Sequence, residues 1–140
     1  MAIYGIGAYY QEGNTGTDMS EVFVNRGVAC VGWDKKDAPA VHRVLEHIKT
    51  GDILYIKAHP PGRSLTAKAV GIVEREQVES FGDLGRGLYV RWLWTGAETW
   101  PESTEERYNV RANTLYEEFS EVVQTRILDL LFSAFRKVQV

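Results

Sequence analysis

The side chains best suited to chemistry in this chain are aromatic rather than ionisable. Four tryptophans occur in 140 residues, and three of them, Trp92, Trp94 and Trp100, fall within nine positions. An indole offers a large flat face on which a nucleobase stacks, and several together can enclose a planar or methylated group. Trp33 stands apart from the other three. It follows the apolar run Val28–Gly32 and precedes Asp34-Lys35-Lys36-Asp37, where a strand ends and a helix begins. Rings at such mouths line ligand pockets. Lys57, Arg63 and Lys68 are cations able to meet phosphate oxygens, and Asp34, Lys35 and Arg91 complete the candidate set. Each feature also has a plain structural explanation, since strand tryptophans fill cores and single cations are solvated surface charges.

Catalytic patterns are absent from the sequence. His42 and His47 are five positions apart, on different faces of a helix, and lack the i, i+4 spacing of a helical metal site. Cys30 is the one cysteine and lies in an apolar run, where a thiol is inert; it also excludes a disulfide framework. Gly82-Asp83-Leu84-Gly85-Arg86-Gly87 has the wrong glycine spacing for a phosphate loop or a nucleophile elbow, and reads as a turn. His59, Arg63 and Lys68 near one hairpin suit acid–base work, yet nothing pairs with them recognisably. The expectation is a non-enzymatic protein with no cofactor and no metal.

Charge narrows the partners. The 16 Lys+Arg and 19 Asp+Glu residues give a net charge of −3, unlike a domain that grips duplex DNA through many phosphates. The distribution is uneven. Trp33–Arg75 holds eight Lys/Arg and five Asp/Glu, whereas Glu76–Glu121 holds four and ten. A basic first half and an acidic second half fit contact with an anion on one face, or two solvated surfaces. No apolar run approaches the roughly 18 residues of a membrane span, and Met1–Ile6 carries no secretory pattern. One cytoplasmic domain over residues 1–140 is expected.

The elements that must position these residues follow from periodicity and breakers. Ala2–Tyr10 reads as one strand, with Gly5 and Gly7 on a side where something approaches the backbone closely. Asp18 or Ser20 caps a short helix over Glu21–Asn25 that Gly27 stops, and Val28–Gly32 is a buried strand. Asp37 as N-cap and Pro39 announce a helix carrying Val41, Val44, Leu45 and Ile48, which Gly51 ends. Asp52–Ala58 and Leu65–Glu74 form a hairpin. Leu88–Thr95 alternates so that Leu88, Val90, Trp92 and Trp94 share one face. Gly96–Asn113 is a long polar segment, and Thr114–Val138 is an amphipathic helical pattern broken at most once. The fold class is α+β: five or six strands most simply closed into a small barrel, with flanking helices and an amphipathic C-terminal helix.

Three segments in this order carry a family resemblance: Gly27-Val28-Ala29-Cys30-Val31-Gly32-Trp33, then Ile48-Lys49-Thr50-Gly51-Asp52-Ile53-Leu54-Tyr55-Ile56-Lys57, then Ala67-Lys68-Ala69-Val70-Gly71-Ile72-Val73. Together, over about Val28–Glu74, they look like the PUA-like superfamily and are most similar to its EVE and YTH branch. The resemblance implies a small barrel and a pocket for a flipped or unpaired, often modified, nucleobase, with basic residues on the flanking backbone. Trp33 and Asp34 match the position of that pocket best, and the later tryptophans correspond loosely to its aromatic walls. The chain departs from the pattern at Asp34-Lys35-Lys36, where EVE domains often carry Arg-Asn.

Three functional readings remain at this stage. The first is a module that captures a nucleobase of DNA or RNA in an aromatic pocket built from Trp33, Asp34, Lys35, Lys57, Arg91, Trp92, Trp94 and Trp100. The second keeps the pocket and exchanges the ligand for a free or cyclic nucleotide. The third is an interaction protein, a homodimer through the C-terminal helix, where Leu130, Leu131, Phe132 and Phe135 make the surface apolar nearly all round.

Overall fold

In β1 (Ile3–Gly7) and β5 (Ile53–Ala58), successive large apolar residues point to opposite sides, and both sides are buried. That is why these segments read as continuous apolar runs, as parallel strands covered on both faces do. The computed structural model describes residues 1–58, 64–101 and 113–138. The remaining elements are β2 (Tyr9–Glu12), β3 (Thr15–Asp18), α1 (Ser20–Arg26), β4 (Val28–Val31), α2 (Pro39–His47), β6 (Ser64–Val73), β7 (Glu79–Ser80), β8 (Arg86–Pro101), β9 (Leu115–Glu117) and α3 (Glu121–Val138).

The main sheet runs β4-β8-β6-β5-β1-β9, with β7 on the flank of β8; β1 and β5 are parallel and the other pairs antiparallel. Tyr4, Ile6, Leu54, Ile56, Val28–Val31, Leu88 and Val90 face an inner core closed by Phe23 of α1 and Leu45 of α2. Ile3, Ile53, Tyr55, Leu65, Val70 and Tyr116 face the other way, under Ile127 and Leu131 of α3. Fully burying each of the valine, leucine, isoleucine and phenylalanine side chains among them contributes roughly 1.5–3 kcal/mol. The architecture is therefore α+β with a curled sheet. It is a half-barrel rather than a closed barrel, because the end strands β4 and β9 do not pair among the described residues.

Several elements depart from the expectations above. Ala2–Tyr10 is two strands, because the chain turns at Ala8, whose carbonyl accepts the Met19 N–H, and β2 pairs with β3 instead. The cap of α2 is Ala38 rather than Asp37; Pro39 does open the helix. β8 continues through Gly96 to Pro101, held by pairing with β6 back to Ser64. Leu115–Glu117 is a strand on β1, not the start of a helix, and the Tyr116 ring fills the space over Gly5 that any side chain there would need. The glycine-rich turn has a structural cause as well: Gly85 and Gly87 press against the Val31 and Ala29 carbonyls, so β8 can approach β4 only without a Cβ. His59, Arg63 and most of the polar segment after Pro101 lie outside the described residues.

The Gly51-Asp52 step is a tie as well as a turn. The buried Asp52 carboxylate accepts the Lys49 N–H (2.8 Å) and the Ala2 N–H (3.0 Å), joining the end of α2 to the start of β1. Glu118 is buried too, and accepts from the Tyr55 hydroxyl at 2.6 Å, which itself accepts from Tyr116 at 2.7 Å. Burial, then the neighbouring Tyr116 and Glu118, push the Tyr55 hydroxyl well above its usual range, so it stays a donor.

Candidate functional site

The apolar run of β4 ends at Val31, and Trp33 emerges with 60% of its surface exposed. It is exposed but held in place. Its indole N–H donates to Thr114 Oγ1 (3.2 Å), and its carbonyl accepts from His42 Nε2 (2.5 Å). His42 is 1% exposed, and its Nδ1 accepts from Arg86 Nη1 at 3.0 Å. An arginine has only donors, so this pair fixes His42 as the neutral Nε2–H tautomer, the form that can hold the Trp33 carbonyl. The Asp34 carbonyl accepts the N–H groups of Asp37 (3.0 Å) and Ala38 (2.9 Å), turning the chain into α2. Lys35 pairs with Glu46 at 3.6 Å, and Arg86 reaches the same carboxylate at 4.0 Å.

Lys57 stands at the end of β5, beside Gly7, whose N–H donates to the Thr114 carbonyl at 2.7 Å. Its ammonium lies 5.9 Å from the centroid of the Tyr116 ring. Burial pulls its pKa down to about 8. Thr114 thus bonds the Trp33 indole through its hydroxyl and Gly7, the neighbour of Lys57, through its main chain.

The other candidate residues stand elsewhere. Trp92 packs on the inner core and donates its indole N–H to the Val28 carbonyl (3.1 Å). Trp94 and Trp100 pack on the opposite face, under α3, with the Arg126 guanidinium 5.5 Å from the Trp100 centroid. A bulge in the β6–β8 ladder between Val70 and Gly71 puts Trp92 and Trp94 on different faces, contrary to simple alternation. Arg91 is exposed on β8, opposite Ile72. The tryptophans therefore form no common box. The basic stretch is largely occupied: Lys49 pairs with Glu76 at 3.7 Å, Lys68 with Asp18, and Arg75 lies over the Tyr89 ring.

Thr114, His42 and Arg86 are the site residues that sequence reasoning missed. Thr114 lies 81 positions from Trp33, and no local signal joins them. From the sequence His42 reads only as a metal ligand, set aside for its spacing; its position on the α2 face opposite His47 was the usable clue. Cys30 is fully buried and its pKa is pushed up to about 12 by burial, so it is no nucleophile. Among the described residues no group of three His, Cys, Asp or Glu side chains could hold a metal, and no helix is long and apolar enough to cross a membrane.

The fold and site define a class: a mixed α+β domain whose half-barrel presents one exposed indole, just after end strand β4, held by a threonine just before end strand β9. No protein-family model matches the sequence, and no curated protein is significantly similar to it.

Proposed function

We propose that this protein is a non-enzymatic binding module that stacks a nucleobase, unpaired or modified, of DNA or RNA on the exposed face of Trp33. The observation that carries this reading is that Trp33 is 60% exposed and yet fixed by two hydrogen bonds. A free surface indole loses rotamer freedom on binding; this one has lost much of it on folding, which lowers the cost of association. Lys57, beside the Gly7 that bonds Thr114, supplies a cation for a neighbouring phosphate. The PUA-like resemblance supports the same end of the sheet, since Trp33 and Asp34 are the positions it carries over.

The test is a thermal-shift and anisotropy panel of plain and base-methylated oligonucleotides, single- and double-stranded, beside free and cyclic nucleotides. Oligonucleotide binding that Trp33→Ala weakens by roughly tenfold to a hundredfold, the worth of one stacked base, is the expected result. Shifts with free or cyclic nucleotides alone would replace the nucleic-acid ligand by a mononucleotide. No binding by any of them would remove the proposal.

The exposed rings of Phe132 (47%) and Phe135 (38%) on α3 favour a second reading, self-association through that helix. Sedimentation at several concentrations decides it, because a monomer throughout leaves those rings without that role.

A further inference from the structure

A groove of about 620 Å³, within the range of ligand sites, opens beside the Trp33 anchor. One wall is a single stripe of α2, Ala40, Arg43, Val44 and His47, spaced as one helical face. The other wall is Leu115 and Glu117 of β9 with Phe119 beyond it, and Asn113 stands at one end. Asn113 and Leu115 flank Thr114, the residue that holds the Trp33 indole, so the groove's wall lies next in the chain to the indole's acceptor.

Its side chains are specific in kind. Phe119 is 73% exposed and offers a second aromatic face. Arg43 lines the groove and forms no ion pair among the described residues, whereas Lys35, Lys49 and Lys68 are each paired with a carboxylate. His47 uses Nδ1–H to donate to the Arg43 carbonyl (2.8 Å), which in the neutral ring makes Nε2 an acceptor. Glu117, on the opposite wall, is a second acceptor and repels a purely anionic ligand. A planar ring with N–H donors, joined to a single phosphate, satisfies all four side chains together.

Resting on the nucleobase reading of Trp33, we propose that the groove between α2 and β9 holds the next nucleotide of the same strand. Its base stacks on Phe119, with its donor edge toward Glu117 and His47, and the linking phosphate meets Arg43. The ligand is then a single strand of at least two nucleotides rather than a lone base.

The experiment compares a fluorescently labelled single-stranded octanucleotide, as DNA and as RNA, with the nucleoside monophosphates, on the wild-type chain and on Phe119→Ala, Arg43→Gln and Trp33→Ala. All three replaced side chains are exposed, and melting curves confirm that the variants fold. The octanucleotide should bind at least about tenfold more tightly than a monophosphate, as a second stacked base requires. Phe119→Ala should remove most of that gain. Arg43→Gln should reduce the salt slope of octanucleotide binding by about 0.7, the loss of one phosphate contact on a single strand. The preferred sugar is read from the DNA and RNA arms. If Phe119→Ala and Arg43→Gln bind the octanucleotide like wild type while Trp33→Ala does not, the groove proposal is overturned and the Trp33 reading stands. If Trp33→Ala changes nothing, both fall.

Discussion

Trp33 and Trp92 both give their indole N–H to a fixed oxygen, yet they serve opposite ends. Trp92 donates to the Val28 carbonyl and packs its ring among the inner-core residues. Trp33 donates to the Thr114 hydroxyl and leaves most of its ring in water. The polar handle is satisfied in both cases, so it does not separate a packed indole from an exposed one. What separates them is the surface left over once the bond is made.

Replacement of each should expose that difference. Trp92→Ala opens a cavity and strands the Val28 carbonyl, and should cost about 3 kcal/mol in a denaturant titration. A loss below about 1 kcal/mol would show that Trp92 is not a packed core residue. His42→Ala comes next, at about 2 kcal/mol, for a buried side chain with two hydrogen bonds. It should also free Trp33, seen as a rise in acrylamide quenching of the exposed indole; unchanged quenching would mean that the Thr114 bond alone holds the ring. Trp33→Ala is the smallest in stability, under about 1 kcal/mol for one exposed hydrogen bond, although it should be the most damaging to binding.

Lys57 sharpens the same comparison through pH. Its pKa is lowered to about 8 by burial, and a phosphate binds its charged form. The charged form is lost as pH rises through about 8, so affinity for a phosphate-bearing ligand should fall across that range. Lys57→Met should lower affinity and flatten the profile. A wild-type profile already flat near pH 8 would place the phosphate elsewhere.

Local signals were sufficient where local physics decides. Val28–Gly32 reads as a buried strand because all four residues of β4 are buried, and Gly27 ends α1 as expected. Ile53–Ala58 and Ser64–Val73 pair as the hairpin the sequence suggested. The failures lie where a distant partner decides. The bulge that turns Trp94 away from Trp92 is a property of the β6–β8 ladder, and strict alternation within β8 hides it. Leu115 and Phe119 fit the stripe of the helix that follows, and pairing with β1 makes Leu115–Glu117 a strand instead. In the site, the position of Trp33 at the end of a strand was legible. Its anchoring was not, since Thr114 and Arg86 reach it, directly or through His42, from remote segments.

The Trp33–Thr114 bond bears on when in folding the chain acquires this surface. It joins residues 81 positions apart, at the two ends of the sheet path. Such a contact carries a large loop-closure cost and gains support only when the intervening strands are in place. A nascent chain that has passed β8 already contains every tryptophan, but the indole at the end of β4 still has no acceptor. The anchored, exposed indole is therefore completed late, when β9 docks on β1, and partly folded chains do not display the finished surface.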